Sequence, residues 1–508
     1  MSGAEDDHSE DSESDPFDIS ELSTKFAALS QEMSRLTQMV AGAGPKRHEI
    51  AAASQALQRM SDAYSSNPEA MAAAQHDLTA RQMKALQEVS QTMFAGPPAP
   101  GDDPVQALIA ANPTHAFSQA MFKAHAEWSE NLAMTAPGLT PLERRRAAYM
   151  LRQGNAALAP ANTLASNPRA LKAMLESGGQ TIQRGLANLQ ADIDADPKRP
   201  SLLQTDPDAF KLGKNLASTP GEVVYRNKLI ELIRYQASTD EVREVPLVIF
   251  PPWINKFYVL DLTPENSLVG WLRDQGFTVY IVSWRSADQR TRKLDWDDYL
   301  ELGGRAAIDW VSDAHDSPVN TAGYCIGGAL LSVLAARLAQ EGEERIASVT
   351  LMAAQTDFSE SGDLGLFIDD ETLPGVQDVI DEAGGLMPGE AMRDAFNLLR
   401  PEDLIWRYVE QRYLLGEPPK AFDLLYWNSD QTNIPGPLHM QTLKRFYVDN
   451  ALAKGEFEIA GDAVDLGAVT CPVFIHAPRK DPSSPFPSVS KGVHLFDGEV
   501  TFSLPDHG

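Results

Sequence analysis

Short apolar runs, separated by segments of helical spacing, form the pattern of the second half of the chain. From about residue 244 onward these runs read VPLVIF, TVYIVSW, VNTAGYC, IASVTLMAA and VFIHA. Near-continuous apolar strands that alternate with helices are typical of a parallel sheet covered on both faces. Between about residues 357 and 465 the alternation gives way to a largely helical stretch, which we interpret as a cap lying over the sheet. The pattern therefore predicts an α/β domain over residues 244–508.

The first half of the chain has a helical pattern instead. Residues 19–104 are rich in Ala, Met and Gln, with apolar positions at helical spacing as in FAALSQEMSRLTQMV. They end in the Pro- and Gly-rich break GPPAPGDDP at 96–104, which indicates a linker. Residues 105–243 predict further helices, one of which is interrupted by the pair Gly178 and Gly179.

Composition and charge narrow the class of protein. The chain has 508 residues, of which 43% are hydrophobic and 22% charged, as is ordinary for a globular enzyme. Residues 1–18 carry eight acidic side chains and no basic one, so we expect a disordered tail. The net charge of −28 argues against a nucleic-acid partner. Two cysteines are too few for a disulfide framework, and no apolar stretch reaches 18 residues, so we expect a cytoplasmic protein without a membrane span.

Residues 323–328, Gly-Tyr-Cys-Ile-Gly-Gly, have the form G-x-S-x-G with cysteine in place of serine. An apolar run precedes them and the helix-like ALLSVLAARLAQ follows, which is the strand–turn–helix context of a nucleophile elbow. Gly323 and Gly327 leave room for the tight turn. A thiol at this turn indicates acyl transfer through a thioester and predicts an α/β-hydrolase fold. The competing interpretation is that Cys325 is a small buried apolar residue.

The residues that would activate the thiol follow later in the chain. A nucleophile needs a base and an acid that orients the base, and in this fold the order is nucleophile, acid, histidine. Asp481 comes just after the strand-like VFIHA, and His507 follows the strand-like TFSLP. The order predicts a triad of Cys325, Asp481 and His507. Simpler interpretations stay open, in which Asp481 caps a turn in KDPSSP and His507 belongs to an unstructured tail.

An acyl-transfer site also needs an oxyanion hole made of backbone N–H groups. The first donor is predicted at Ile326, directly after the nucleophile. The second is predicted in the early loop FPPWINKF, at Trp253 or Ile254, because Pro251 and Pro252 have no N–H to donate.

Other candidate ligands in the sequence indicate no metal centre. Cys471 enters a strand-like run, where we expect a core position. His439 and His476 lack the spacing of metal ligands, and neither a zinc motif nor a phosphate loop is present.

Several long strings of the chain resemble one family, the polyhydroxyalkanoate synthases. The strings that surround the elbow are PPWINKFYVLDLTPENSLVGWL at 251–272, VSWRSAD at 282–288, WDDYLE at 296–301, GYCIGG itself and LLYWNSDQTNIPGP at 424–437. Upstream, similar strings are LAPANTLASNP at 158–168, ESGGQTIQRGLANLQADI at 176–193 and NLASTPGEVVYRNKLIELIRY at 215–235. The resemblance runs almost continuously from about residue 140 to 440, and the length and N-terminal region are most similar to the class I synthases.

The resemblance implies an enzyme that polymerises (R)-3-hydroxyacyl-CoA, typically 3-hydroxybutyryl-CoA, into a polyester and releases coenzyme A. It implies that Cys325 carries the acyl group and the growing chain as thioesters, that the histidine deprotonates the thiol, and that Asp481 helps to activate the incoming 3-hydroxyl group. It implies no metal or organic cofactor. It also implies a homodimer at the surface of cytoplasmic polyester granules, with granule-associated proteins, and a structural or dimer-side role for Trp427.

The anionic acyl-CoA that the resemblance implies requires a local basic patch, because a net charge of −28 does not attract it over distance. The candidates are Arg285, Arg290 and Arg292.

The chain departs from the family pattern near its end. The family histidine is preceded by Gly and followed by Ile-Ala-Gly, whereas this chain stops at His507-Gly508. Pro482 stands where a histidine commonly follows the acid. Two interpretations stay open: His507 is the base, shifted by two positions, or the chain is truncated and lacks its base. The alternative functions are a cysteine thioesterase or lipase-like hydrolase, and an inactive granule-associated subunit.

Overall fold

The computed structural model describes residues 47–94, 113–196 and 201–506. The predictions of a disordered segment at 1–18 and of a linker at 96–104 lie outside the described residues. Within the described residues, no helix has the length and apolar character that a membrane crossing requires.

Helices make up the described N-terminal region. They are α1 Arg47–Ser65, α2 Pro68–Phe94, α3 Pro113–Thr135, α4 Pro141–Leu158, α5 Pro168–Glu176 and α6 Gln180–Ala195. Helices α1, α3 and α4 share a small core that includes Ala56, Ala133 and Ala147, whose short side chains let the helices approach closely. Between α5 and α6, Gly178 and Gly179 have φ angles of 58° and 83°, so the predicted interruption is present.

A mainly parallel sheet of eight strands forms the centre of the molecule. The strands are β1 Gly221–Arg226, β2 Ile230–Tyr235, β3 Leu247–Phe250, β4 Val279–Trp284, β5 Val319–Tyr324, β6 Ile346–Met352, β7 Val473–His476 and β8 Val500–Ser503. Their order in the sheet is β1-β2-β4-β3-β5-β6-β7-β8. The pairs β1–β2 and β2–β4 are antiparallel, and the remaining pairs are parallel. All four residues of β3 are buried, because helices cover both faces of the sheet.

Strands β1 and β2 correct the prediction of helices throughout 105–243. Leu229, Leu232 and Ile233 are spaced as on one face of a helix, although they lie in or next to a strand. In the structure β2 pairs with β1 on one side and with β4 on the other, and Leu232 is fully buried. Pairing with the sheet therefore overrides the local pattern. The predicted domain boundaries otherwise remain predictions.

Helices pack on both sides of the sheet. They include α7 Leu268–Asp274, α8 Ala306–His315 and α9 Ile326–Gln340, and α8 continues from helical turns at Trp296–Asp298 and Tyr299–Arg305, the second of which is π-helical. Helix α9 is buried along most of its length. Its apolar side chains Leu330 and Leu334 pack against Gly304, where a methyl group would come within 3.0 Å of Leu334.

The insertion between β6 and β7 is largely helical, and we call residues 357–465 the cap. Its helices are α10 Leu373–Glu382, α11 Gly389–Leu399, α12 Asp423–Ser429 and α13 Gly436–Thr442, with further turns at Glu402–Trp406, Arg407–Val409, Glu410–Leu414 and Leu443–Val448. The cap also contains two short antiparallel pairs of two-residue strands. Leu386–Met387 pairs with Ile434–Pro435, and Glu458–Ile459 pairs with Asp462–Ala463. Helix α14, Phe486–Lys491, follows β7.

The cap is attached to the loops that leave the carboxyl ends of β3 and β4. Trp427 Nε1 donates a hydrogen bond to the carbonyl of Lys256 at 2.8 Å. The N–H of Ala287 donates to the carbonyl of Asn433 at 3.0 Å. The cap therefore lies over the carboxyl ends of the central strands, where Cys325 follows β5. The predicted α/β sheet with a helical insertion and an N-terminal helical region is confirmed.

Candidate active site

Cys325 occupies a strained turn between β5 and α9. Its φ and ψ angles are 54° and −128°, a conformation that L-residues rarely adopt. The turn is held by hydrogen bonds from the Cys325 N–H to the carbonyl of Met352 at 2.9 Å and from the Gly328 N–H to the Cys325 carbonyl at 2.9 Å. A side chain held in this way at the end of a parallel strand matches the geometry of a nucleophile elbow.

The three glycines of the motif are required by close backbone contacts. A methyl group on Gly323 would come within 2.4 Å of the Cα of Gly328, and one on Gly327 would come within 2.3 Å of the carbonyl oxygen of Phe250. A methyl group on Gly328 would meet the Cβ of Ala354 at 2.4 Å. The elbow thus fits tightly between β3, β6 and the start of α9, and no larger residue fits at these positions.

The described residues around the Cys325 thiol disfavour its ionisation. Burial raises the pKa of Cys325 to about 11, and the nearby carboxylate of Asp481 also raises it. The backbone N–H of Ile326 and the side chain of Ser484 lower it. Among the described residues, none of the groups that act on this pKa is a cation, so formation of the thiolate needs a further base.

Asp481 lies in the loop that follows β7, near the nucleophile. Its Oδ1 accepts hydrogen bonds from the N–H of Ser483 at 2.8 Å, the hydroxyl of Ser483 at 2.6 Å and the N–H of Ser484 at 3.1 Å. Asp481 therefore both caps a turn and lies close enough to Cys325 to affect its pKa. The structure brings these two members of the predicted triad together, and their catalytic roles remain predictions.

His507, the third member of the predicted triad, lies outside the described residues. The preceding segment is next to the loop of Asp481. The N–H of Arg479 donates to the carbonyl of Pro505 at 3.0 Å, and Nε of Arg479 donates to Oδ1 of Asp506 at 3.0 Å. The segment that leads to His507 thus runs beside the residues that lead to Asp481.

The predicted oxyanion donors lie on two neighbouring elements. The N–H of Ile326 lies close to the Cys325 thiol and lowers its pKa. Ile254 lies in the turn after β3, and this turn is anchored by the buried ring of Trp253, which packs edge-on against Trp284 and Trp296. The assignment of Ile326 and Ile254 as donors remains a prediction.

Sequence reasoning missed two side chains at the site, Ser484 and Tyr447. Ser484 is 3% exposed and its side chain lowers the pKa of the Cys325 thiol, and Tyr447 belongs to the cap. Burial raises the pKa of Tyr447 above its usual value, and the negative charge of a Cys325 thiolate raises it further, so this phenol lies close to the nucleophile. Neither residue belongs to a sequence motif, because each reaches the site through the fold of a different loop.

The remaining candidates have structural surroundings. Cys471 is half-buried and packs against the core, and Trp427 is tied to Lys256 as described above. Arg285 and Arg290 both pair with Asp288, whose single negative charge offsets one of their two positive charges.

The last of the predicted cations, Arg292, donates to the carbonyl of Gly384 at 3.1 Å.

His439 is buried in α13, and His476 lies at the end of β7. In the described ranges, no group of three or more His, Cys, Asp or Glu residues is arranged to hold a metal ion.

Comparison with known proteins gives two family matches. Residues 106–272 match the model of the poly-beta-hydroxybutyrate polymerase (PhaC) N-terminus, and residues 245–485 match that of the alpha/beta hydrolase fold. The second match agrees with the order of the strands and with the Cys325 elbow. Among solved structures, the monoacylglycerol lipase of Paleococcus ferrophilus aligns with 53% of this chain and 88% of its own length at 15% identity and a TM-score of 0.33, too low to carry weight.

Several curated proteins are similar over most of the chain. The poly(3-hydroxyalkanoate) polymerase of Methylorubrum extorquens is 42% identical over 78% of this chain and 66% of its own length. The polymerase subunit PhaC of Rhizobium meliloti is 41% identical over 78% of this chain and 65% of its own. That of Cupriavidus necator is 38% identical over 72% of this chain and 62% of its own. The chain thus spans slightly less than two thirds of the length of the relatives that it matches.

Proposed function

Because this chain belongs to the poly(3-hydroxyalkanoate) polymerase family, we propose that it is an acyltransferase that polymerises (R)-3-hydroxyacyl-CoA and releases coenzyme A. The observation that carries the proposal is the thiol of Cys325 on a strained elbow, near Asp481 and Tyr447 of the cap. The substrate we propose is 3-hydroxybutyryl-CoA, and no cofactor takes part.

The proposed reaction begins with transfer of an acyl group to Cys325. An imidazole accepts the thiol proton, and we assign this role to His507, which follows the described segment beside Asp481. The thiolate attacks the acyl-CoA carbonyl, and the N–H groups of Ile326 and Ile254 stabilise the oxyanion. The carbon–sulfur bond to coenzyme A then breaks, the leaving thiolate takes the proton from the imidazolium, and the acyl group remains on Cys325 as a thioester.

Chain growth needs one further acyl transfer. The 3-hydroxyl group of the next acyl-CoA attacks the thioester carbonyl, with Asp481 assisting in removal of the hydroxyl proton. An ester bond forms as the carbon–sulfur bond to Cys325 breaks, and the proton passes to the leaving sulfur. The extended chain then returns from coenzyme A to Cys325 by thioester exchange. This exchange replaces one thioester by another, so it is close to thermoneutral and proceeds at a low barrier once the thiolate is formed.

The cap favours transfer to a hydroxyl group over transfer to water. Tyr447 from the cap lies close to Cys325, which is only partly exposed, and burial of the thiol raises its pKa to about 11. A site from which water is largely excluded protects a thioester from hydrolysis. The proposed setting of the enzyme is the surface of a cytoplasmic polyester granule, where it acts as a homodimer.

Two other functions give different products. A cysteine thioesterase or lipase-like hydrolase is favoured by the elbow alone and would release free 3-hydroxy acid. An inactive granule-associated subunit would release neither acid nor coenzyme A. Its basis is the absence of a cation near Cys325 among the described residues.

The test is to incubate the purified protein with 3-hydroxybutyryl-CoA and to measure free coenzyme A and insoluble polymer together. We expect both to form, and Cys325→Ala to abolish both, while Cys471→Ala leaves them unchanged. Free 3-hydroxybutyrate without polymer would identify a hydrolase. Polymer formation by the Cys325→Ala variant would overturn the proposal.

A further inference from the structure

One face of helix α4 holds the first part of the cap, residues 357–369, which we call the bridge segment. Tyr149 and Arg152 are three positions apart, so they lie on the same side of the helix. The ring of Tyr149 packs edge-on against that of Phe367, with the ring centres 4.9 Å apart. Arg152 donates through Nη2 to Oδ2 of Asp363 at 2.5 Å. An N-terminal helix thus contacts the bridge segment at two points along its face.

Arg146 lies on the same face of α4, about one turn before Tyr149, and is buried. Its Nε donates to the carbonyl of Leu366 at 2.7 Å, and its Nη2 pairs with the carboxylate of Asp369. Both partners belong to the bridge segment. Movement of this segment away from α4 would break both contacts of a buried charge, which is strongly unfavourable. Arg146 therefore holds the bridge segment against α4.

The bridge segment is also tied to α14, the helix that follows the loop after β7. Lys491 in α14 donates through Nζ to the hydroxyl of Ser359 and to Oε1 of Glu360, each at 2.8 Å. The hydroxyl of Ser488 in the same helix is fully buried and donates to the carbonyl of Asp357. The bridge segment therefore connects an N-terminal helix to an element of the hydrolase domain.

At Gly362 the bridge segment packs against the loop that carries Asp481. A methyl group on Gly362 would come within 3.0 Å of the carbonyl oxygen of Pro482 and within 2.8 Å of the ring of Pro485. These prolines flank the two serine N–H groups that donate to Oδ1 of Asp481 at 2.8 and 3.1 Å. Gly362 directly precedes the partner of Arg152. Segments packed this closely transmit a displacement from one to the other.

We propose that Arg146 and Arg152 are positioning residues that act on Asp481 through the bridge segment. They belong to the N-terminal helices, and they hold the segment that packs against the loop of this carboxylate. The inference rests on the proposed function in taking Asp481 as a group that acts on the substrate. The mechanical link itself can be measured without turnover.

Hydrogen–deuterium exchange of the peptide that spans residues 477–488 tests the link. The N–H groups of Ser483 and Ser484 exchange only when their hydrogen bonds to Asp481 open, so their exchange rate reports how firmly the loop is held. In Arg152→Gln we expect these groups to exchange about two- to fivefold faster, as the loss of a partly exposed ion pair permits.

Arg146→Gln should have the larger effect, an acceleration of exchange of at least about tenfold, because its ion pair is more deeply buried. Asp363→Asn should match Arg152→Gln, and the double variant should show no further change, since each substitution removes the same ion pair. If Arg146→Gln is unfolded by circular dichroism, Arg146→Lys keeps the charge and loses only the donation from Nε.

Activity provides a readout that a purely structural role would not move. In Arg152→Gln, the rate of coenzyme A release at saturating 3-hydroxybutyryl-CoA should fall about two- to fivefold while KM stays unchanged, because the placement of Asp481 affects reaction and not binding. The matched control is Arg59→Gln, whose ion pair with Glu143 joins α4 to α1 and does not involve the bridge segment. We expect this control to leave both the exchange of the loop and the release rate unchanged.

Unchanged exchange of the loop in both Arg146→Gln and Arg152→Gln would overturn the inference. An equal acceleration in Arg59→Gln, or in the peptides of β5, would also overturn it, because this would indicate a general loosening of the fold. A loosened loop with an unchanged release rate would show that Asp481 needs no such positioning. Failure of the proposed function is distinct, since it would appear as an absence of coenzyme A release in the parent protein.

Discussion

Cys325 can occupy its tight turn only because Gly323 and Gly327 have no side chains. Its left-handed backbone conformation costs free energy, of the order of 1–3 kcal/mol, which the surrounding contacts must offset. Those contacts are backbone to backbone at Gly323 and Gly327, so they tolerate no added atoms. The elbow could be predicted from the sequence because this steric requirement is local and leaves a pattern of glycines.

Gly327→Ala should therefore abolish acyl transfer. The added methyl group would lie 2.3 Å from the carbonyl oxygen of Phe250 and 2.7 Å from that of Pro251, so β3 or the elbow must move. We expect a loss of coenzyme A release of at least about 100-fold, as a displacement near 1 Å at a catalytic centre produces. The release assay with 3-hydroxybutyryl-CoA measures it.

The control for this substitution is Gly154→Ala in α4, where a methyl group would meet nothing within 4 Å. It should raise the free energy of unfolding by about 0.5–1 kcal/mol, because Ala is the better helix former. Full activity in Gly327→Ala would contradict the close packing described for the elbow.

At the scale of elements, strands β3 to β8 could be predicted from the sequence, and strands β1 and β2 could not. Strands β3 to β7 lie in near-continuous apolar runs because helices cover both faces of the sheet. Strand β2 mixes Glu231 and Arg234 with apolar residues at helical spacing, and only its pairing with β1 and β4 decides its conformation. Ser484 and Tyr447 escaped prediction for the same reason, since tertiary contacts bring them to Cys325.

Helix α13 carries His439 into the cap, and this makes the cap sensitive to acid. Burial lowers the pKa of His439 to about 4, whereas an unfolded histidine titrates near 6.5. Between these values the unfolded state binds the proton and the folded state does not, so stability is lost as the pH falls from about 6.5 toward 4. The free energy of unfolding should fall between pH 7 and pH 5 in the parent protein. In His439→Leu this fall should be smaller by about 2 kcal/mol.

Urea unfolding at the two pH values measures the effect of His439. The exposed His494 provides the control, since His494→Gln should leave the loss between pH 7 and pH 5 as it is in the parent protein. An equal loss in the parent protein and in His439→Leu would show that the acid sensitivity arises elsewhere.

Across the whole molecule, the N-terminal helices and the cap are joined by a buried ion pair. Arg412 donates to Asp192 through Nε at 2.8 Å and Nη2 at 2.6 Å, and the Tyr413 hydroxyl donates to the same carboxylate at 2.7 Å. The side chains of Arg412 and Asp192 are 8% and 6% exposed. Gly185 lets α6 approach closely, since a methyl group there would overlap the carbonyl of Tyr413. The sequence contains no sign of this contact, because its partners are 220 positions apart.

Arg412→Met should destabilise the protein by about 3–5 kcal/mol, because it leaves the Asp192 carboxylate buried without its cation. The double variant Arg412→Met with Asp192→Leu should recover most of that loss, since no buried charge remains. Chemical denaturation of the two variants measures the effect. Lys84→Met at an exposed pair in α2 is the control and should change stability by less than about 1 kcal/mol. A double variant no more stable than Arg412→Met would contradict this interpretation.

The proposed chemistry depends on a covalent acyl group at Cys325, and mass spectrometry of the protein after brief exposure to 3-hydroxybutyryl-CoA tests it most directly. We expect the proteolytic peptide that contains Cys325 to carry a 3-hydroxybutyryl group or short oligomers of it, labile to hydroxylamine as thioesters are. The peptide that contains Cys471 should remain unmodified. Release of coenzyme A with polymer formation, but with no adduct at Cys325 or with the adduct on another residue, would contradict the central claim.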